Sequence, residues 1–180
     1  TRFHAIYWPM FLNSLGVRTP DREFVHGLLM MRDSKMSKSK GNGIDPIKVT
    51  NVYGADILRF WTASVDYQQD VRISEDLIKQ VADGYRKIRN TFKFLLGNLS
   101  NGADSHFELT DRQTEFAPID TYILARLEQV KNKFINYFDT YNFQLALQEV
   151  LTFISTDLSS FYLDYAKDIL YCNCRLSTLS

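Results

Sequence analysis

Apolar positions along this chain follow two regimes that change near residue 74. Over residues 3–15, Phe3, Ile6, Tyr7, Met10, Phe11 and Leu15 recur at helical spacing. Pro9 inside that pattern predicts a kink or split, and Gly16 is placed to close the helix in the left-handed conformation. Phe24-Val25-His26-Gly27-Leu28-Leu29-Met30-Met31 is a near-continuous apolar run, which predicts a buried parallel strand. Asp45-Pro46 then reads as a helix start, with Asp45 as N-cap and Pro46 at the first helical position. That helix is expected to stop at Gly54, and a second to run from about residue 55 to 63.

Beyond residue 74 only helices are predicted. Ser74 caps a helix whose first turn carries Glu75 and Asp76, as the dipole favours. Its apolar stripe is read as Leu77, Val81, Tyr85, Ile88, Phe92, Leu95, Leu96 and Leu99. Residues 98–104 read as a loop. A helix follows over about 119–138, with Ile123, Leu127, Val130 and Phe134 at helical spacing, and a third runs from about Asn142 towards Tyr171 with a break near Ser159-Ser160. Phe134, Phe138, Phe153, Phe161 and Tyr162 are assigned to the core. The fold class is therefore mainly α: the end of an α/β domain followed by an α-helical bundle.

Composition narrows the functions open to such a chain. Lys+Arg and Asp+Glu are both 21 in 180 residues, giving zero net charge, so a uniformly basic nucleic-acid binder is excluded while a local basic face is not. Cys172 and Cys174 are too close for an ordinary disulfide and have no second pair to hold zinc. They read as free thiols of a reducing compartment, with no metal site. No apolar run approaches the roughly 20 residues of a membrane span. Opening at Thr1, without Met and inside folded-looking sequence, predicts a piece of a longer protein whose last bundle helices also lie elsewhere.

Three places carry candidate chemistry. The polar turn Arg32-Asp33-Ser34 delivers Lys35-Met36-Ser37-Lys38-Ser39, followed by Lys40-Gly41-Asn42. Two ammonium groups three residues apart, among small hydroxyls and before a glycine, suit a mobile loop closing on polyphosphate. Strand then phosphate loop is the order found at the carboxyl end of a nucleotide-binding sheet. On the 74–99 helix, Lys79, Arg86, Arg89 and Lys93 fall within about 80° of one another. That stripe fits either a solvated helix face or contact with an RNA backbone. His26 fits either a hydrogen-bonded core residue or a group near bound nucleotide.

Residues 35–42 resemble the KMSKS signature of class I aminoacyl-tRNA synthetases. Residues 1–50 are similar to the end of the catalytic domain of methionyl-tRNA synthetases, through Arg2-Phe3-His4-Ala5-Ile6-Tyr7-Trp8-Pro9, Phe24-Val25-His26-Gly27 and the stretch from Lys35 to Pro46. Residues 53–171 look instead like isoleucyl-tRNA synthetases, through Tyr53-Gly54-Ala55-Asp56-Ile57-Leu58-Arg59, Val71-Arg72-Ile73-Ser74 and Tyr85-Arg86-Lys87-Ile88-Arg89-Asn90-Thr91. The last such segment is Phe161-Tyr162-Leu163-Asp164-Tyr165-Ala166-Lys167-Asp168-Ile169-Leu170-Tyr171.

The resemblance implies three regions. Residues 1–50 would end a Rossmann-type catalytic domain with its KMSKS loop, 51–73 would be connecting helices that meet the tRNA stem, and 74–180 a truncated anticodon-binding bundle. It implies ATP-dependent activation of isoleucine and its transfer to tRNA, with ATP accompanied by Mg2+ in the parent enzyme, and a cytoplasmic home. Methionine, or a chimera of the two families, is the alternative. Lys35 and Lys38 match the catalytic loop lysines; Lys35, Met36, Ser37, Lys38 and Ser39 would meet ATP, and Arg86, Arg89 and Lys93 the tRNA. Neither membrane nor DNA is an implied partner. The partner HIGH motif, the amino-acid pocket and an editing domain are absent from these residues, so the chain alone is expected to catalyse nothing. A non-catalytic RNA-binding helical module is the competing class; a strand leading into a phosphate loop argues against it.

Overall fold

The computed structural model describes residues 2–31, 34–37, 39, 41–99 and 116–172, without the Cys172 side chain. Lys38, Lys40, Cys174 and all but the first two residues of the predicted 98–104 loop lie outside the described residues; Asn98 and Leu99 are helical. The fold is mostly helical with one small sheet, in two compact units: Thr1–Gly43 with Tyr67–Ser74, and Ile44–Asp66 with Glu75–Ser180.

In the first unit the opening helix divides as Pro9 predicts, into a π-helical stretch over Phe3–Tyr7 and helix α1 over Trp8–Ser14, with Pro9 in its first turn. Gly16 closes α1 at φ +66°. Its N–H donates to Asn13 O (3.1 Å) and Val17 N–H to Leu12 O (2.9 Å), the paired bonds of a Schellman cap. The predicted apolar face of this helix is exposed: Phe11 is 66% and Leu15 75% accessible.

The long predicted strand is corrected to three residues. Strand β1 is Leu29–Met31, β2 is Ser34–Lys35 and β3 is Val71–Arg72, in the order β2-β1-β3. β2 runs antiparallel to β1 (Met30 opposite Lys35) and β3 parallel to it (Leu29 opposite Val71). The parallel neighbour comes from within the chain, some forty residues on. Pairing stays irregular before Leu29 because a turn at 67–70 intervenes. Gly27 N–H donates to Tyr67 O (2.8 Å), and Leu28 N–H to the Asp70 carboxylate (2.8 Å) rather than to a backbone carbonyl. The interval 51–73 is accordingly helical only to Ser64 and ends in a strand.

The second unit opens with α2, Pro46–Tyr53, and α3, Ala55–Ser64. Asp45 Oδ1 accepts the Ile47 N–H (2.9 Å), as the N-cap reading predicts. Gly54, at φ +92°, turns one helix into the next. Helices α4 (Glu75–Leu99), α5 (Pro118–Asp139) and α6 (Phe143–Thr152) follow. A π-helical stretch, Phe153–Tyr162, then joins α6 to α7, Leu163–Cys172.

Here the predicted break at Ser159-Ser160 is corrected to a widened but continuous helix. The hydroxyls make this possible: Ser155 Oγ donates to Leu151 O (2.7 Å) and Ser160 Oγ to Ser155 O (2.8 Å). On α4 full burial falls on the two flanks of the predicted stripe rather than along it. The helix's buried positions are Ile78, Ala82 and Thr91, whereas Phe92, Leu96 and Leu99 are exposed. Thr91 reaches Lys87 O (3.0 Å) and lies 3.2 Å from Ser159 Oγ, which lets a hydroxyl sit in the interface.

Ile57 and Trp61 of α3, with Ile78 and Ala82 of α4 and Ala146 of α6, are buried where α3 packs on α4 and α6. A second cluster of Ile123, Val130, Phe153 and Ile154 holds α5 to the π-helical stretch, each such side chain contributing about 1.5–3 kcal/mol on full burial. Phe138 and Phe161, assigned to the core, are instead exposed and paired at the surface, Phe138 stacked 4.4 Å from Phe134 and Phe161 edge-on 6.0 Å from Tyr122.

Polar ties cross the same interface. The Arg126 guanidinium meets the Asp157 carboxylate at 3.1 Å, and Tyr162 Oη donates to Asp120 Oδ1 at 2.8 Å. Burial first, and the Asp120 carboxylate second, push the Tyr162 phenol up to about 12. That value lies above the ordinary 10.0, so the neutral phenol's contribution is complete below pH 10 and is lost as pH climbs through 12. Tyr162→Phe is expected to cost about 1 kcal/mol at neutral pH. It should also flatten the fall in the urea midpoint between pH 10 and 12; an equally steep fall in the variant would contradict the assignment.

Candidate functional site

The lysine loop hangs from the antiparallel pair. Lys35 is exposed on β2, and Met36, half-buried, extends the pairing by donating its N–H to Leu29 O (2.8 Å). Ser37 Oγ and Ser39 Oγ share a hydrogen bond of 2.8 Å. Gly41, at φ +61°, makes a turn that β-carbon-bearing residues rarely adopt and brings Asn42 back onto the first limb. There the Asn42 amide accepts the Ser37 N–H at 2.8 Å and donates to Ser34 Oγ at 3.1 Å and Lys35 O at 3.3 Å. Of the five residues assigned to ATP, four are described and share one short hairpin; Lys38 lies outside the described residues. Asn42 and Asp70, which the periodicity did not single out, fasten this hairpin and its sheet. A side-chain amide eight residues after Ser34 carries no periodic signal, and Asn42 entered the sequence reading only as the last residue of the 35–42 signature.

His26 is exposed, not a core residue, and its Nδ1–H donates to Gly27 O at 2.7 Å. Among the described residues no group of three or more His, Cys, Asp or Glu side chains could hold a metal ion. The Lys35 ammonium and the serine hydroxyls suit polyphosphate oxygens rather than a divalent cation.

In the helical unit Arg86, Arg89 and Lys93 are all exposed on α4. Arg86 is tied to Asp83 at 2.9 Å, and Lys79 reaches Asp76 at 3.9 Å, so half of the predicted stripe carries an intrahelical carboxylate. Arg89 and Lys93 border an open cleft of 870 Å³ with Tyr85, Phe92 and Leu96. Phe92 is 57% exposed, so an aromatic face stands beside the cations. Tyr85 Oη donates to Asp56 Oδ2 at 3.1 Å, linking α4 to α3. That hydrogen bond and the carboxylate charge raise the phenol's pKa, and Arg89 opposes them. Positive charge with an exposed ring fits unpaired nucleotides better than a smooth duplex.

Two family descriptions match this chain. The family "tRNA synthetases class I (M)" matches residues 1–92, and "Anticodon-binding domain of tRNA ligase" matches residues 120–179. The chain belongs to the class I tRNA synthetases. Among curated proteins, the isoleucine–tRNA ligases of Bacillus mycoides and Bacillus anthracis are each 50% identical over 147 residues, covering 81% of this chain and 16% of the relative. The chain thus spans about one-sixth of the length of these relatives. Among solved structures, Mycobacterium tuberculosis methionyl-tRNA synthetase in complex with methionyl-adenylate superposes with a TM-score of 0.66 at 30% identity, over 86% of this chain and 30% of that one. The Agrobacterium radiobacter LeuRS–tRNA–LeuAMS ternary complex gives a TM-score of 0.64 at 21% identity, over 83% and 19%, and shares the fold. No helix among the described residues is long and apolar enough to cross a membrane.

Proposed function

We propose that this chain is the segment of an isoleucine–tRNA ligase that joins the phosphate loop of the catalytic domain to the anticodon-binding bundle. Residues 1–50 end the catalytic domain, 51–73 connect, and 74–180 form the bundle. The observation that carries the chemistry is Lys35, exposed at the end of a paired strand, with the Asn42 amide bonded to Ser34, Lys35 and Ser37 beside it. Isoleucine is favoured by the 50% identity to isoleucine–tRNA ligases. The methionyl-type family description and the methionyl-tRNA synthetase structure support methionine as the second reading.

In the complete ligase the amino-acid carboxylate attacks the α-phosphorus of ATP, the bond to the bridging oxygen breaks, and pyrophosphate leaves. Lys35 and Lys38 then stabilise charge that grows on the departing phosphates, a fixed positive field being most valuable where charge develops. Met36, Ser37 and Ser39 shape the loop around them. Magnesium would be held by the nucleotide's own phosphate oxygens and would share their charge. Such a clamp works only with groups already placed around the substrate, so this segment alone is inactive. The parent is placed in the cytoplasm, in keeping with the poor disulfide spacing of its cysteines. ATP–pyrophosphate exchange by the complete ligase is expected with isoleucine and not with methionine; the reverse preference would transfer the assignment to methionine, and exchange with neither would remove it.

Arg89 and Lys93, with Arg86 contributing less because Asp83 already holds it, contact tRNA phosphates in this reading. Replacing all three with Gln should weaken tRNA binding and reduce the log–log salt slope by up to about 0.7–0.9 for each lost contact. Exchange without tRNA should be unchanged. An unaltered slope would return this face to plain solvation.

A further inference from the structure

We infer that Asn42 is a positioning residue of the lysine loop, its amide acting as a clasp that fixes how Lys35 and the loop serines face the phosphates. The inference rests on the phosphate-loop reading above and deepens it. The amide has one acceptor and two donor hydrogens facing the hairpin, and each is used: Oδ1 on the Ser37 N–H (2.8 Å), Nδ2 on Ser34 Oγ (3.1 Å) and on Lys35 O (3.3 Å). Ser34 and Lys35 belong to β2, Ser37 to the limb beyond it, and Asn42 to the return limb, so one side chain ties three points of the loop. The contacts to Lys35 O and Ser37 N–H bracket Met36 and set the backbone on both sides of it. Backbone orientation at Lys35 determines where its ammonium can reach.

The clasp is neutral, which matters beside an anion. Aspartate in its place keeps the shape and the acceptor but loses both donors and turns a carboxylate towards Lys35 O. The longer side chain of glutamine would overshoot contacts set at 2.8–3.3 Å. The Ser37 N–H is also committed to Asn42, so among the described loop residues the Lys35 ammonium and the serine hydroxyls are the groups this reading turns towards phosphate. A loop held in one shape before ATP arrives loses less entropy on closing, and small misplacements of a catalytic group cost up to about 10²-fold in rate.

The test is steady-state ATP–pyrophosphate exchange in the complete ligase with Asn42→Ala, Asn42→Asp, Lys35→Ala and the double variant Lys35→Ala/Asn42→Ala, each checked for an unchanged urea midpoint. Asn42→Ala is expected to lower kcat roughly 10–100-fold with KM for isoleucine within about twofold of the original. Asn42→Asp, which preserves packing should the alanine variant fold poorly, is expected to lose about 10-fold or more. In the double variant, removing Asn42 should add little to the loss from Lys35→Ala, because the clasp acts through that lysine. Asn42 variants at the original rate, alongside a slow Lys35→Ala, would overturn the clasp and leave the phosphate loop standing. Fully additive losses, or a rise in isoleucine KM matching the fall in rate, would also overturn it, as a merely structural role predicts. A Lys35→Ala enzyme at the original rate would instead overturn the phosphate-loop reading itself.

Discussion

Lys38→Ala in the complete ligase is expected to slow isoleucine-dependent ATP–pyrophosphate exchange by about 10²–10³-fold, the scale for losing one preorganised charge-stabilising group. The physical reason is differential. In bound ATP the phosphate charges are already spread over several oxygens, whereas in the transition state they accumulate on the leaving pyrophosphate. A fixed positive charge gains most from that change, so the loss should fall on kcat rather than on isoleucine affinity. Lys35, exposed at the end of β2, should show the same pattern. Held at the end of a paired strand, it is expected to have a smaller effect. Arginine at position 38 would restore charge but not the compact point donor, and partial recovery is the expected result. Exchange at the original rate in Lys38→Ala would remove the lysine from the chemistry.

Local signals were legible in the chain because each depends on its immediate neighbours. The Asp45 cap, the turns at Gly16 and Gly54 and the split at Pro9 all follow from a few adjacent residues. The sheet was less so. β3 is two residues long and pairs with β1 across some forty positions, and no periodicity can be read in two residues. On α4, adjacent arcs at Leu77-Val81 and Ile78-Ala82 are both apolar, so spacing alone cannot choose; packing against α3 chose the second. The serines near 160 read as a break because free hydroxyls compete with helical hydrogen bonds, yet here they bond back onto the helix. The same limit governs the site. Lysine and serine spacing suggests the phosphate loop proposed above, whereas the Asn42 and Asp70 hydrogen bonds exist only once the backbone has turned.

Gly27→Ala is expected to be the most damaging single-carbon change in the sheet unit. A β-carbon at this position would overlap the Gln69 carbonyl group and lie 2.6 Å from Asp70 N, and these are backbone atoms that cannot swing aside. The glycine is needed for close approach rather than for an unusual φ, because its own N–H is drawn onto Tyr67 O at 2.8 Å. Adding the methyl group must push the 67–70 turn away, breaking that bond and the Asp70 contact to Leu28, and loosening the register that pairs Leu29 with Val71. A cost of about 3 kcal/mol fits overpacking against backbone. Hydrogen exchange at Gly27, Val71 and Ile73 should then be accelerated roughly 100-fold, while amides of α5 in the other unit keep their protection. Gly97 provides the contrast: nothing lies within 4 Å of its would-be β-carbon, so Gly97→Ala should leave the fold intact and favour the helix slightly. Because β1 and β2 carry the lysine hairpin, Gly27→Ala should also lower exchange activity without any change in the loop's own residues. Unaltered protection across the sheet in Gly27→Ala would mean that the 67–70 turn yields freely, and that the hairpin owes its position to contacts other than β3.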